Sequence, residues 1–390
     1  MICMATDIAS EVLDYLKAHQ EEQVELLKQL VKLESPSNDV ESQIEILRFL
    51  GKKLNELDFH TVHMPGSKTG GYLYARPKNG NRQRSLQLLL GHCDTVWKKE
   101  TLKEMPILKR NGKLTGPGIY DMKAGLTQMI FSIKAIKELG LSPSLTPVVL
   151  INSDEEIGSR ESRNAIKRLA KISERVFVME PPLGLEGKLK TARKGIGRFT
   201  ITVTGKAAHA GLDPGKGINA IVELSHQVQQ LFAMNDFEKG ITVNVGTIQG
   251  GISPNVVAPQ GKAVIDVRVS NNKDGKAITK KIYGLKPSIP DVKIQIEGGM
   301  GRLPMERTPR NQKLWKLAKA KALFLGLELE EATAGGGSDG NTTSPYTATL
   351  DGLGTTGDGA HALHEYIFTN QLSQRTALLT LLLLSDSVKE

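Results

Sequence analysis

Four short segments of this sequence carry side chains whose types and spacing could do chemistry. In Gly91-His92-Cys93-Asp94 the histidine and the aspartate lie two residues apart, so on extended backbone they point the same way and Cys93 points elsewhere. A carboxylate behind the second imidazole nitrogen is the usual support of a metal-bound histidine. Read alone, the segment is a strand-end turn with a hydrogen-bonded His. In Gly116-Pro-Gly-Ile-Tyr-Asp121-Met-Lys-Ala-Gly125 the glycines and proline make a tight loop that leaves Asp121 at the start of a helix, where by itself it reads as an N-cap. Asp154-Glu155-Glu156 crowds three acids together, a costly arrangement unless a cation is near or the turn is solvated. Glu180, ahead of two prolines, says little alone.

Their placement along the chain says more. The apolar run Leu86–Leu90 leads into the His92 segment, Pro147–Ile151 into the three acids, and Val176–Met179 into Glu180. Apolar spacing predicts helices over Met122–Leu139 and Glu161–Ala170 between these runs. Strand–helix–strand alternation predicts an α/β domain with a largely parallel sheet, and such sheets bind ligands at the carboxyl ends of their strands. One His and three carboxylate-bearing segments therefore converge on one rim. Gly357-Asp-Gly-Ala-His361-Ala-Leu-His364-Glu365-Tyr366 offers a second imidazole from His361 or His364. Two imidazoles and three carboxylates carry three negative charges. Two divalent cations with a bridging hydroxide would bring the set to neutrality. That balance suits a two-metal hydrolase, with zinc favoured by His and carboxylate donors.

The elements that must position these groups are legible on either side. Helical spacing covers Glu11–Leu33 and Ser42–Leu57. From about Lys194 the pattern changes: a strand over Phe199–Thr204, a helix over Gly217–Phe232, strands over Ile241–Ile248 and Val256–Val269, a helix over Lys273–Tyr283 and a strand over Val292–Ile296. That β-α-β-β-α-β order is ferredoxin-like. Residues 194–307 thus read as a domain inserted into a catalytic domain made of 1–193 and 308–390. The apolar run Ala377–Leu384 is far short of the roughly 20 residues a membrane span needs, and reads as a buried helix.

Taken together, the motifs Gly-His-x-Asp-Thr-Val-Trp, Gly-Pro-Gly-x-x-Asp-x-Lys-x-Gly, Asp-Glu-Glu-x-Gly-Ser and Gly-x-Gly-x-His, in this order, give the chain a specific resemblance. It resembles the co-catalytic zinc family of aminoacylases, carboxypeptidases and amino-acid deacylases, which includes acetylornithine deacetylase and succinyl-diaminopimelate desuccinylase, and most of all its carboxypeptidase G (glutamate carboxypeptidase) branch. The resemblance covers nearly the whole chain. It implies a zinc-exopeptidase-like sheet flanked by helices, with the insert acting as a lid and dimerisation domain. It implies that His92, Asp121 and Glu180 hold one zinc and that Asp121, Glu156 and His361 hold the other, with Co2+ or Mn2+ as substitutes. Glu155 would be the general base and then the acid, and Asp94 would orient His92. His361 is preferred over His364 because a Glu-Tyr pair follows it at the family's spacing. In the insert, the resemblance implies that His209 reaches the partner subunit's site to steady the oxyanion, and that Asn255 and Arg268 contact substrate, with the Arg268 guanidinium suited to a carboxylate; outside the insert, it implies that the Gly336 loop lies beside the site and contacts substrate too. The reaction it implies is hydrolysis of an amide next to a C-terminal amino acid, glutamate in the carboxypeptidase G branch, in a small peptide or N-acyl amino acid with a free carboxylate. Deacylation of N-acetyl or N-succinyl amino acids is the alternative, and an inactive binding homologue a further one.

Composition sets the outer limits. The chain has 390 residues, 39% hydrophobic and 24% charged, which excludes a disordered chain, a collagen or a coiled-coil rod. Two cysteines, Cys3 and Cys93, exclude a disulfide framework and suit a reducing compartment. With no basic-then-apolar leader visible, the expectation is cytoplasmic. The formal charge of +9 would tolerate nucleic acid, but 5% aromatics and the absence of a recognisable module argue against it. Most of the positive excess falls within 194–307, which fits a lid over an anionic substrate better than a polyanion-binding surface.

Overall fold

The structure is a computed structural model that describes residues 2–80 and 84–387. The chain divides into two compact units: Met1–Thr191, Arg307–Thr333 and Ser338–Glu390 form the first, and Ala192–Glu306 with Ala334–Gly337 the second. The Gly335–Gly337 run therefore goes with the second unit, although the sequence reading had placed it in the 308–390 segment.

The first unit is built on a six-stranded mixed sheet. In chain order its main elements are helices α1 (Ile2–Ala18), α2 (Gln20–Lys32) and α3 (Val40–Glu56), strands β1 (Phe59–Met64), β2 (Tyr72–Pro77) and β3 (Leu86–His92), helix α4 (Ala124–Glu138), strand β4 (Thr146–Asn152), helix α5 (Arg163–Ile172) and strand β5 (Ser173–Val178), and the sixth strand, Ala348–Leu350, pairs parallel to β5 at the sheet edge. Strand β3 lies between β4 and β5 and is parallel to both. The hairpin β1–β2, which apolar spacing did not announce, extends the sheet antiparallel beyond β4. The central strands are apolar on both faces, as a covered parallel sheet requires. Leu89, Val149 and Phe177 pack into one buried cluster, and Leu88, Leu90, Val148, Leu150, Val176 and Val178 into another.

The stretch read as continuous helix over Glu11–Leu33 is two helices that meet at His19. There the imidazole stacks on Tyr15, and its Nδ1 lies 2.8 Å from the Tyr15 carbonyl oxygen. Helix α3 starts where the Asp39 side chain accepts from the Ser42 N–H. The C-terminal apolar run is the buried half of a helix, Thr369–Leu384. Among the described residues, no helix is long and apolar enough to cross a membrane.

The second unit holds a four-stranded antiparallel sheet. Its elements are β6 (Gly195–Thr204), α6 (Ala220–Phe232), β7 (Thr242–Gly250), β8 (Gln260–Val269), α7 (Asn272–Tyr283) and β9 (Lys293–Arg302), in sheet order β7-β8-β6-β9. Alternate residues of β6 (Phe199, Ile201, Val203) and β8 (Ala263, Ile265, Val267, Val269) are buried against Leu224, Leu231, Ile278 and Ile282 of the helices. Several boundaries differ from the sequence reading: β6 begins four residues earlier and β9 ends six residues later, and two further shifts have a visible cause. Helix α6 begins at Ala220 because the Asn219 carboxamide oxygen caps the Ile221 and Val222 N–H groups. Strand β8 begins at Gln260, since Val256 and Val257 pair instead with the His209 loop.

Candidate metal centre

Three neighbouring strand ends supply most of the chemistry-bearing groups. Strand β3 ends on His92, β4 runs out just before Asp154-Glu155-Glu156, and β5 just before Glu180. The loop ahead of α4 supplies Asp121, whose peptide bond to Met122 is cis. Gly125, in the first turn of α4, lies so close to β5 that a Cβ there would stand 2.1 Å from the Met179 carbonyl oxygen.

These groups form two overlapping triads. His92 Nε2 lies 3.3 Å from Asp121 Oδ1 and 3.5 Å from Glu180 Oε1. His361 Nε2 lies 3.5 Å from Asp121 Oδ2 and 3.1 Å from Glu156 Oε1. Asp121 thus turns one oxygen to each imidazole. His364 is exposed and belongs to neither triad. Glu155, directly ahead of Glu156 in the chain, is buried, and its backbone N–H donates to Asp94 Oδ1 at 3.1 Å.

Asp94 does more than its expected support of His92. The imidazole Nδ1 sits 2.9 Å from the Asp94 main-chain oxygen and 3.4 Å from its carboxylate. With the proton on Nδ1, the Nε2 lone pair faces Asp121 and Glu180. The fully buried Asp94 carboxylate accepts from the N–H groups of Glu155 and Glu156 and from the Ser37 hydroxyl at 2.8 Å. It therefore ties the acidic turn to the end of β3.

The donor set fits divalent metal on its own geometry. His92 Nε2 and Asp121 Oδ1 are buried with no hydrogen-bond partner. Two such atoms facing each other are costly unless a cation joins them. The titration directions say the same. Burial pulls the His92 imidazole down, but the carboxylates of Asp121, Asp94 and Glu180 outweigh it and hold its pKa well above the usual range. The Asp121 and Glu156 carboxylates push His361 up to about 10. Burial, with Asp121 adding to it, raises Glu156. The cluster is short of positive charge, and two imidazoles with three carboxylates are zinc-type ligands.

The second unit carries the remaining predicted residues. His209 and Asn255 are both exposed and belong to paired loops: the Ala210 N–H donates to the Asn255 carbonyl, and Val256 bridges to His209. The His209 Nδ1 accepts from the N–H groups of Gly211 and Leu212, both at 3.1 Å, which leaves the ring proton on Nε2. The Arg268 side chain departs from expectation. Its Nε and Nη2 already grip Asp266 at 2.7 and 3.2 Å, and Nη1 lies 3.4 Å from the Gly335 carbonyl oxygen. The Gly336 carbonyl accepts from Arg193, and a Cβ at Gly336 would meet nothing within 4 Å.

Sequence reading missed several supporting residues of the first unit. Ser37 is one, and Asp339 is another: it accepts from Asn152 Nδ2 at 2.8 Å and from the Ser159 hydroxyl beside the acidic turn. Glu365 is the largest omission, having served only as a spacing mark for His361. The available signal was an acid directly ahead of the apolar strand Tyr366–Phe368.

Residues 191–285 match the peptidase dimerisation domain. Carboxypeptidase G2 of Pseudomonas sp. (strain RS-16) is 30% identical over 359 residues, covering 90% of this chain and 86% of that one. Succinyl-diaminopimelate desuccinylase of Sulfurimonas denitrificans is 23% identical, covering 88% and 93%. The crystal structure of aminopeptidase PepT from Bacillus cereus ATCC 10987 superposes with a TM-score of 0.78 at 21% identity, over 93% of this chain and 98% of that one. The chain belongs to the M20 metallopeptidase family, hydrolytic enzymes that depend on bound metal, and it carries that family's dimerisation domain.

Proposed function

We propose that this protein is a di-zinc exopeptidase that cleaves the amide bond preceding a C-terminal amino acid, with glutamate as the preferred product. The observation that carries the reading is the pair of triads sharing Asp121, with unpartnered buried atoms turned inward. Similarity to carboxypeptidase G2 over most of both chains supports the carboxypeptidase assignment. His92, Asp121 and Glu180 hold one ion, and Asp121, Glu156 and His361 the other. When bound, the two ions supply an acidified water and a polarised amide carbonyl.

The chain's own residues do the rest. Asp94 holds His92 in the Nδ1–H tautomer and fixes the backbone of Glu155. The Glu155 carboxylate takes the proton of the attacking water and passes it to the leaving amine. His209 of the partner subunit donates its Nε2–H to the developing oxyanion, in the tautomer that the Gly211 and Leu212 amides enforce. Asn255, Arg268 and the Gly336 loop bind the substrate's carbonyl and carboxylate. For Arg268 this means using Nη1 or giving up Asp266.

A shared site requires a homodimer, and the second unit has a surface suited to one. Ile221, Val222 and Phe232 on α6 and Ile248 on the edge strand β7 are all exposed.

The test is turnover of a panel of peptidyl, N-acetyl and N-succinyl amino acids, with and without chelator. Chelator-sensitive release of glutamate, lost by several orders of magnitude in Glu155→Gln while metal is retained, is the expected result. Near-wild-type activity in Glu155→Gln would show that the base is another group. Mixing inactive His209→Ala and Glu155→Gln chains should restore activity in mixed dimers, and no recovery would exclude a shared site. A deacylase of N-succinyl or N-acetyl amino acids is the second reading, favoured by nearly full-length similarity to the desuccinylase. Preferential turnover of those substrates would select it.

A further inference from the structure

The Glu365 carboxylate lies at the meeting point of three of the sequence motifs. It is fully buried, and each oxygen accepts two N–H donors. Oε1 takes the backbone N–H groups of Tyr120 at 2.8 Å and Asp121 at 3.0 Å. Oε2 takes the backbone N–H of Gly118 at 2.9 Å and the Trp97 indole at 2.8 Å. Among the described residues no lysine or arginine forms an ion pair with it. It is a carboxylate spent on holding main chain, and the main chain it holds is that of the shared ligand.

The other end of the same segment presents His361. The Ala362 N–H donates to the Gly359 carbonyl, and the Glu365 N–H to the Ala362 carbonyl, so 359–365 is wound into two successive tight turns. Within them His361 adopts a left-handed φ of 62°, uncommon for a residue with a side chain. A Cβ at Gly359 would stand 2.9 Å from the Glu365 backbone, so these turns have no slack. Strand β3 gives His92 a rigid mount, but His361 has no regular element beneath it. Its position relative to Asp121 depends on this short segment and on whatever fastens the segment down.

We propose that Glu365 is a positioning residue of the metal centre: by gripping the Asp121 backbone four residues beyond His361, it sets the distance between the shared carboxylate and the exposed imidazole, and with it the affinity of the ion held by Asp121, Glu156 and His361. The proposal rests on the two-ion reading above. A residue that only stabilised the fold would weaken both ions alike, or neither. Glu365 acts selectively on one.

The experiment is a Co2+ titration of metal-free wild-type and Glu365→Gln protein, followed by calorimetry and by the visible absorption of bound Co2+, with thermal unfolding of both apo proteins and with kcat and KM measured separately. The variant keeps its shape but turns an amide NH2 toward N–H donors. Wild type should bind two ions. The variant should bind one of them roughly 10–100-fold more weakly and the other almost unchanged, with kcat reduced and KM little affected; the mispaired amide should lower the apo unfolding temperature without preventing folding. Wild-type affinity for both ions in folded Glu365→Gln overturns the proposal, as does equal weakening of both. Wild type that binds fewer than two ions sinks the two-ion reading itself, and the proposal with it. Should Glu365→Gln fail to fold, Trp97→Phe removes one of the four donors. A several-fold weakening of one ion alone is then expected, and unchanged binding of both overturns the proposal.

Discussion

The two halves of the candidate metal centre share Asp121 but are built in opposite ways. His92 is almost completely buried at the end of a central strand, with Asp94 behind it and Ser37 behind Asp94. His361 is half exposed, on a left-handed residue in a loop fastened by the Glu365 carboxylate four residues on. The first half inherits its geometry from the sheet, and the second must acquire it from side-chain bonds to backbone. The buried half is therefore preorganised by the fold, and the exposed half is the one that local contacts can tune.

The largest expected effect breaks this comparison directly. His92→Ala should lower bound metal from two ions to about one and turnover by more than roughly a thousandfold. His361→Ala should also lose one ion, yet keep residual turnover that rises with added metal, because water can reach the open position. Metal analysis alongside kcat/KM decides, and equal residual activity in the two variants would erase the distinction. Next, Asp94→Asn leaves one of the Glu155 and Glu156 N–H groups facing an amide NH2. A loss of about 10–100-fold in kcat/KM is expected, mostly in kcat. Its metal defect should fall on the His92 side, opposite to that of Glu365→Gln, which calorimetry of the two variants side by side would show.

Smaller effects sharpen the picture of the buried half. Ser37→Ala removes one buried hydrogen bond to Asp94 and should cost about 1 kcal/mol of stability by chemical denaturation, with turnover reduced only a few-fold. The smallest concerns Glu161. Its carboxylate is wrapped by the N–H groups of Ser67, Lys68 and Thr69 and by the Ser67 and Thr69 hydroxyls. Burial acts against them, but these bonds hold its pKa down, from 4.5 to about 2. A depressed carboxyl stabilises the fold fully above its unfolded value and loses that contribution as pH falls through the folded value. The gap in unfolding temperature between wild type and Glu161→Gln should be constant near neutrality, shrink below about pH 4.5 and close near pH 2. A gap independent of pH would show that the wrapped carboxylate carries no such linkage.

What could be read from the sequence follows the same divide. Apolar runs ending in His92, Asp154–Glu156 and Glu180 announce strand ends, and strand ends of a parallel sheet are predictable in space. The choice of His361 over His364 came from resemblance alone, because no local pattern says which way a glycine-rich loop folds. Asp94 was assigned to His92 by residue spacing. Its carboxylate serves mainly the Glu155 and Glu156 amides, a contact between two strands that spacing along one strand does not contain. Arg268 shows the same limit. Its suitability for a carboxylate was evident, but Asp266, two residues away on the same strand face, already satisfies it. The hairpin β1–β2 went unannounced because β1 is mostly exposed with no alternation, and in β2 the buried Leu73 and Ala75 alternate with half-buried tyrosines that hide the period of two.

The approach of Gly125 to Met179 has a consequence for how the centre tolerates variation. The segments that carry Asp121 and Glu180, proposed ligands from different motifs, meet where the Gly125 main chain rests on that of Met179. Substitutions that swell or shrink the surrounding core can therefore repack without altering that contact. The cost is concentrated at a single position, where even a methyl group would wedge helix from strand. In a mutational library of this chain, residue 125 should be nearly invariant while the apolar positions around it drift freely.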